Sequence, residues 1–557
     1  MKYNILIGGA AGQGLVTISH LISKLLQRQG FYLFSNKDYM SRVRGGHNFI
    51  QIRFGDKPID TFEKKVDLII ALNQETIDNH ISKLKNKGKV LADISLVSND
   101  ARVCNYSFVE KSKELGSHYL INSLFIGALF KSFDLKFDKL ESVFQDLFKD
   151  KELIKSNLEA FNIAYDYFNT SFDSIESNFT DSILISGSES IALGAITGGV
   201  GFYSAYPMSP STGIMAYLSK KQLDAKIVVE QAEDEIGAIE AAMGSSYAGL
   251  RSMTGTSGGG FSLMSESLSF LGVSEIPLVV VDVQRPGPAT GLPTRTSQGD
   301  LSFVVSAGHG EFPKVVMALT DVETAFYDIQ RALNLADKFQ VPVIVLGDQF
   351  LVDSKVTIPP FNFNKIPIKP CLASNDFLRK DYKRYEITEH GVSPRIVPSL
   401  YDSLTLIADS HEHDEYGHIT EDPDMVTAQV HKRMRKLPYI SEKMEEPIYF
   451  GAEIPDVLLI SWGSAMSPIS EAVSVLNESK NVGALIFKDI YPLPVEFLFK
   501  YTSVAHQIIN VEHNFEGQLA KLIKQETGIS MTDSLLRYDG RQLSFEDIVD
   551  FVDGRNL

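Results

Sequence analysis

The stretch IPLVVVDVQRPGPATGLPTRTSQGD (276–300) is an apolar run that breaks into a loop. Residues 276–281 read as a buried strand, because a short apolar, β-branched run bounded by turn residues fits a strand covered on both faces. Residues 282–300 then carry two arginines, three prolines, three glycines and four Thr or Ser hydroxyls. Such a loop sets a fixed cation and hydroxyl groups at the carboxyl edge of a sheet, where ligands of α/β proteins bind. Arg285 is the candidate cation, since a guanidinium meets a carboxylate or phosphate with two parallel hydrogen bonds. The same composition also fits a rigid, solvated surface loop.

Reading outward, the pattern repeats. Residues 183–196 (ILISGSESIALGAI), then KIVVEQ, SMTGTS, IPLVVVDV and VPVIVLGDQF, are strand-like runs, each followed by a helical or glycine-rich stretch, and this domain spans 183–355. Upstream, YNILIGG, FYLFS, FIQIRF, VDLIIAL and KVLADIS alternate with helical segments and make another α/β domain over 1–175. A polar, aperiodic segment (169–182) reads as the linker between them. Residues 356–450 are rich in Pro, Lys and charge and predict an extended connector packed on other domains. A last α/β unit over 454–557 restarts with DVLLISWG. The expected fold class is α/β, in three α/β domains.

With 557 residues, several cores are expected. The formal charge of −17 argues against nucleic acid or an anionic membrane as the main partner. Two cysteines, Cys104 and Cys371, supply no disulfide framework and no thiolate set for an iron–sulfur cluster. MKYNILIGGAAGQG breaks into glycines too early for a signal peptide, and no apolar run reaches the roughly 20 residues of a membrane span. A soluble, cytoplasmic protein is expected.

Five clusters stand out as candidate sites. GGAAGQG (8–14) lies between a strand and a helix, so Gly12 and Gly14 let backbone approach a phosphate-bearing ligand, although neither GxGxxG nor a P-loop is present. SRVRGGHN (41–48) sets Arg42 and Arg44 beside Gly45 and Gly46, a second candidate anion site or a solvated turn. In YPMSPST (206–212), Tyr206-Pro207 and Ser209-Pro210 fix an extended approach to a helix, and the Ser211 hydroxyl caps that helix or holds an anion. VVEQAEDEIGAIEAAMG (228–244) crowds Glu230, Glu233, Asp234 and Glu235 onto a strand–helix junction. Most of these acids suit a helix N-terminus for dipole reasons, and one could sit beside a ligand nitrogen and exchange a proton with it. RSMTGTSGGG (251–260) ends a strand at Thr256, and Gly258 and its two successors let a ligand approach the backbone. The histidines of HEHDEYGHITED (411–422) make a loose pattern that reads as a polar loop, with no metal assigned.

In this order the clusters resemble the α subunit of the 2-oxoacid:ferredoxin oxidoreductases, in the form with the γ domain fused at the N-terminus. YPMSPST, the 230–264 block, the 282–301 block, EHDEYGHITED and VEHNFEGQLAKLI are similar to family segments, and GGAAGQG and SRVRGGHN to γ-domain motifs, so the resemblance covers nearly the whole chain. It implies a γ-type, coenzyme A- or phosphate-associated domain, a pyrimidine-binding domain for thiamine diphosphate, and a transketolase C-terminal-like domain. It implies that Glu235 bonds the aminopyrimidine, and that Arg285 and Thr294 contact the carboxylate and 2-oxo end of the substrate. Tyr206, Pro207, Ser209, Pro210, Ser211, Thr256 and Gly258 would line the thiamine site, with Gly12, Gly14, Arg44, Gly45 and Gly46 on the γ side. Ser209 stands where the family has threonine, and Met208 where it has isoleucine.

The implied reaction is oxidative decarboxylation of a 2-oxoacid, with 2-oxoglutarate favoured, passing the acyl group to CoA and electrons to ferredoxin. No GDG motif for Mg2+ and no cluster cysteines occur, and the family keeps both in a β subunit. The chain would then be half of an enzyme, in an (αβ)2 heteromer. The alternatives are the same chemistry on pyruvate or branched-chain 2-oxoacids, or a non-catalytic CoA- or nucleotide-binding scaffold.

Overall fold

The computed structural model describes residues 1–41, 46–373, 381–398 and 404–554. Among them the first strands are β1 (Lys2–Ala10), β2 (Tyr32–Asp38), β3 (His47–Gly55), β4 (Val66–Ala71), β5 (Leu84–Asp93), β6 (Val103–Tyr106) and β7 (Ile183–Ser186). Then come β8 (Val200–Ala205), β9 (Val228–Gln231), β10 (Arg251–Thr256), β11 (Leu278–Gln284), β12 (Val315–Ala318), β13 (Pro342–Asp348) and β14 (Lys355–Ile358). The last are β15 (Ile448–Gly451), β16 (Val457–Trp462), β17 (Val482–Phe487), β18 (Asp489–Tyr491), β19 (Gln507–Glu512) and β20 (Asp533–Leu536). The chain forms two compact units: residues 1–186, 353–361 and 544–546 in one, and the rest of the described chain in the other.

The first unit holds an eight-stranded mixed sheet in the order β6-β5-β4-β1-β3-β2-β14-β7. Helix Leu15–Arg28 buries Ile18, Leu21, Ile22, Leu25 and Leu26 against it, the three-and-four spacing that made the segment readable as a helix. Helix Ile121–Ser132 is buried on nearly every side, and its mean composition is correspondingly apolar throughout. Segment 169–182, read as a linker, is packed: the Phe179 ring stacks on Tyr32 at 4.3 Å and Phe172 on Phe133 at 4.4 Å. These two aromatic residues in a polar stretch hold it to the domain.

The second unit holds two sheets. The larger runs β18-β12-β13-β11-β10-β8-β9, with every neighbouring pair parallel except β12–β18. β11 is buried along its whole length. Val279, Val281 and Val283 enter one core, while Leu278 and Val280 enter the core on the opposite face. This two-sided burial is why the strand reads as an unbroken apolar run rather than an alternating one. The smaller sheet runs β15-β17-β16-β19-β20 and is parallel apart from β15. Its Leu458, Ile460 and Trp462 share a core with Val280 and Ile344 of the larger sheet.

The stretch expected as an extended connector contains helices Pro423–Met434 and Lys436–Ser441. Their weak apolar periodicity has a physical cause, because the buried face is charged. Lys432 and Lys436, both wholly buried, each meet the buried Glu275 carboxylate at 2.6 Å. Removing one partner of such a pair typically costs about 3–5 kcal/mol, so this charged contact fixes the helices on the larger-sheet domain.

Candidate active site

In the larger sheet the chain leaves β8 for helix Thr212–Ala225, whose Ile214 and Leu218 enter one core. It leaves β10 for helix Gly258–Leu263, whose Phe261 enters the core on the other face. The carboxyl ends of the adjacent strands β8 and β10 therefore mark a switch point, where open parallel sheets place their ligands. The 206–211 loop and the turn at Ser257 into helix Gly258–Leu263 diverge there, and the arginine loop follows β11 beside them.

Glu235 opens helix Glu235–Tyr247 after β9. Asp234 caps that helix, accepting from the Gly237 N–H at 2.7 Å, and Glu230, Glu233 and Asp234 are exposed. Glu235 alone among the four is buried, at 5% exposure, and its Oε1 has no hydrogen-bond partner. A Cβ on Gly260 would lie 2.6 Å from that Oε1 and 2.2 Å from the Thr256 Oγ1, and one on Gly258 would lie 2.5 Å from both carboxylate oxygens of Asp300. Gly258 and Gly260 are thus required by the side chains of Asp300, Thr256 and Glu235 packed against them. The hydroxyls of Ser204, Thr254 and Ser257 are also buried without partners at this edge. An unpartnered buried polar atom costs about 1–3 kcal/mol, so a cluster of them at a switch point marks an edge built for a polar ligand.

Arg285 ends β11's apolar run and donates from Nη1 to the Ser209 carbonyl at 2.5 Å, joining the arginine loop to the 206–211 loop. What Ser209 offers Arg285 is its backbone carbonyl, while its side chain is exposed. Burial pulls the guanidinium's pKa down, and the charges of Asp300 and Glu235 oppose that pull. The Ser211 hydroxyl turns back to the Met208 carbonyl at 2.9 Å and makes no helix cap. Tyr206 is half exposed beside Pro207, and Pro210 is buried. Thr294 is nearly buried in the arginine loop, and no hydrogen bond joins it to Arg285 among the described residues.

The far end of the loop is locked into the smaller sheet by residues that no motif announced. Gln298 donates to the Trp462 carbonyl at 2.7 Å and accepts from the His513 N–H at 3.1 Å. Asn514 donates to the Gln298 carbonyl at 3.0 Å and to Glu512, which also takes the Trp462 indole N–H at 3.0 Å. His513 Nε2 accepts from the Leu543 N–H at 3.0 Å, leaving Nδ1 to donate to Gln298 Oε1 at 3.2 Å. Burial, then the charge of Arg537, pushes the His513 pKa down to about 3, so the ring is neutral and fully bonded.

In the first unit, Gly12 and Gly14 take positive φ (93° and 85°) in the turn between β1 and helix Leu15–Arg28. They line a cavity of about 600 Å³ together with Lys37, Asn48, Tyr119 and Asn122. Gly46, also at positive φ, packs on Met40. Arg44 and Gly45 lie outside the described residues. His47 and His80 face each other through their Nε2 atoms at 2.7 Å. Burial drives both pKa values down, that of His80 to about 3.

In the 411–422 loop, His413 is buried on the Tyr385 ring at 3.8 Å, His411 pairs with Asp409 and His418 with Asp414. No group of three or more His, Cys, Asp or Glu side chains that could hold a metal ion occurs among the described residues. Nor is any described helix long and apolar enough to cross a membrane.

Comparison with known proteins agrees with this geometry. Residues 193–432 match the family model for the thiamine-diphosphate-binding part of pyruvate flavodoxin/ferredoxin oxidoreductases, and residues 4–167 match that for pyruvate ferredoxin/flavodoxin oxidoreductase. The fold and the family models together therefore define an oxidoreductase with a thiamine-diphosphate-binding module. The chain is 31% identical to a Sulfolobus protein named 2-oxoacid:ferredoxin oxidoreductase subunit alpha, over 97% of this chain and 95% of that one. It is 29% identical to the 2-oxoglutarate synthase subunit KorA of Methanothermobacter thermautotrophicus, over 67% of this chain and 98% of that one. The structure of 2-oxoglutarate:ferredoxin oxidoreductase from Magnetococcus marinus, with 2-oxoglutarate, coenzyme A and succinyl-CoA bound, superposes with a TM-score of 0.94 at 32% identity, covering 99% of both chains. The chain belongs to the 2-oxoacid:ferredoxin oxidoreductase family, as an α subunit.

Proposed function

We propose that this chain is the α half of a CoA-acylating 2-oxoacid:ferredoxin oxidoreductase that turns 2-oxoglutarate into succinyl-CoA and CO2, releasing two electrons singly to ferredoxin. The observation that carries the reading is the buried, unpartnered Glu235 Oε1 at the β8/β10 switch point, with Arg285 on the wall beside it. Thiamine diphosphate, when bound, supplies the electron sink for decarboxylation. Glu235 would hold and move a proton at its ring nitrogen, and the orphaned hydroxyls fit a polar ligand at this edge. Arg285 would anchor the substrate carboxylate, oriented by its bond to the Ser209 carbonyl, with Thr294 on the same loop. Mg2+ and the iron–sulfur cluster belong, on this reading, to a β subunit in an (αβ)2 assembly. CoA would use the first domain, whose glycine-lined cavity carries Lys37. Residues 1–175, 183–355 and 454–557 then serve as the γ-type, pyrimidine-binding and transketolase C-terminal-like domains, with 356–450 joining the last two.

The preference for 2-oxoglutarate is supported by the bound ligands of the Magnetococcus marinus enzyme and by the KorA names. The test is CoA-dependent reduction of a one-electron acceptor by the chain co-expressed with its β partner, across 2-oxoglutarate, pyruvate and branched-chain 2-oxoacids. The expected result is highest kcat/KM for 2-oxoglutarate. Preference for another 2-oxoacid would overturn the specificity, and no turnover of any would overturn the enzymatic reading.

A further inference from the structure

The loop that carries Arg285 leaves and rejoins its sheet at one buried side chain, Gln284. Along β11, Gln284 has the parity of Leu278 and Val280, so it faces the core shared with helices Glu235–Tyr247 and Gly258–Leu263. It is 1% exposed. Its Nε2 donates to the Gly347 carbonyl of β13 at 3.1 Å, and its Oε1 accepts from the Asp300 N–H at 3.0 Å. One amide thus ties the residue before Arg285 to the last residue of the arginine loop, and both to the neighbouring strand. A glutamine presents a donor and an acceptor side by side at its tip, which is what two backbone groups of opposite kind require. A leucine here would fill the volume and strand both of them.

The rest of the loop has other holds. The Leu292 N–H donates to the Pro286 carbonyl at 3.0 Å, the Thr296 N–H donates to the Gly540 carbonyl at 3.3 Å, and Gln298 bonds Trp462 and His513. The Asp300 end is seated by its own helix: the Asp300 carbonyl accepts from the Val304 N–H at 2.8 Å, and Leu301 and Val304 enter the core. The Arg285 end is different. Gln284, opposite Asp348, is the last residue of β11 in register with β13, so Arg285 is the first beyond the ladder. What fixes the chain at that point is the Gln284 amide.

We infer that Gln284 is a positioning residue: it clasps the arginine loop at its base and so sets the Arg285 guanidinium where a 2-oxoacid carboxylate meets it. The inference rests on the reading of Arg285 as carboxylate anchor. Misplacing a group that orients substrate by about 1 Å can cost about a hundredfold in rate. The contribution of Gln284 passes through Arg285, and it disappears when the guanidinium is absent.

The test is a double-mutant cycle on kcat/KM for 2-oxoglutarate, in the chain co-expressed with its proposed β partner and supplied with a one-electron acceptor. Gln284→Leu alone should lose about ten- to a hundredfold. In the Arg285→Ala background the same substitution should cost less than about threefold, because the group it positions is gone. Gln284→Glu keeps the size and the acceptor and loses the amide donor. It should show the same dependence on Arg285, and it decides the cycle if Gln284→Leu does not fold. Hydrogen exchange reads the clasp without activity: in the Gln284 variant, amides of residues 285–300 should exchange about tenfold faster or more, while those of β16 and β19 keep wild-type protection. Wild-type kcat/KM in both Gln284 variants, equal losses in the two backgrounds, unchanged exchange across 285–300, or exchange that rises equally in β16 and β19 would each overturn the clasp. A loss in Arg285→Ala with additive losses at Gln284 overturns the clasp alone, whereas no loss in Arg285→Ala overturns the anchor reading and the clasp with it.

Discussion

Two parallel-sheet edges in the second unit meet the same structural problem in opposite ways. At the β8/β10 edge, Glu235 Oε1, both oxygens of Asp282 and the hydroxyls of Ser204, Thr254 and Ser257 are buried without partners. At the end of the smaller sheet, the groups that close β16 and β19 are paired within the chain: Gln298 spans the Trp462 carbonyl and the His513 N–H, and Glu512 takes the Trp462 indole. Among the described residues there, Asn510 and one oxygen of Gln542 stay unpartnered. One loop serves both edges, with Arg285 at the open one and Gln298 thirteen residues on at the closed one. An edge with unmet polar groups is a place for a ligand, and an edge plugged by the chain's own amide is a scaffold that holds the loop still.

The contrast breaks most sharply at Glu235. Glu235→Gln keeps the shape and removes the acid, so 2-oxoacid oxidation should fall by roughly 10²- to 10⁴-fold while thermal melting stays near wild type. A loss of folding would move Glu235 to the scaffold side. The mirror-image change is Gln298→Ala. It strands the Trp462 carbonyl and the His513 N–H and should destabilise the second unit by about 2–4 kcal/mol in a denaturant melt. Its activity loss should follow that loss of order in the loop.

The closed edge also has a pH signature. His513 is held at about 3 in the fold against 6.5 for the free side chain. Between those values the unfolded chain takes up a proton that the folded chain refuses. The stability it contributes is complete above pH 6.5 and falls toward pH 3, by roughly 1.4 kcal/mol per pH unit. Chemical melts across that window should show a shallower acid limb in His513→Asn. The smallest effect is expected at Ser209→Ala. Arg285 uses the Ser209 carbonyl, which the substitution keeps, so kcat/KM should change by less than about tenfold.

Much of this was legible in the sequence because the signals are local. The apolar runs gave the strands, the 3.6-residue spacing gave helix Leu15–Arg28, and Gly258 and Gly260 sit where acids crowd the backbone. Glu235 stood out as one of four acids, but which of the four turns inward depended on Asp234 taking the cap. The plug was not legible, since Gln298 and His513 are 215 residues apart and each looks ordinary in its own window. Asp282 did carry a signal, as the one charged residue inside LVVVDVQ, but a strand's last turn and a loop's first residue look alike in sequence. The helices at 423–441 escaped notice because their buried face is lysine paired with a distant glutamate.

The most direct measurement compares Arg285→Ala with Gln298→Ala in the chain co-expressed with its proposed β partner, reading 2-oxoglutarate-dependent acceptor reduction and melting together. Arg285→Ala should lose about a hundredfold or more in kcat/KM with melting unchanged, and Gln298→Ala should lose stability first. Full activity in Arg285→Ala, or equal loss of stability in both variants, would contradict the assignment of the β8/β10 edge as the site that holds the 2-oxoacid.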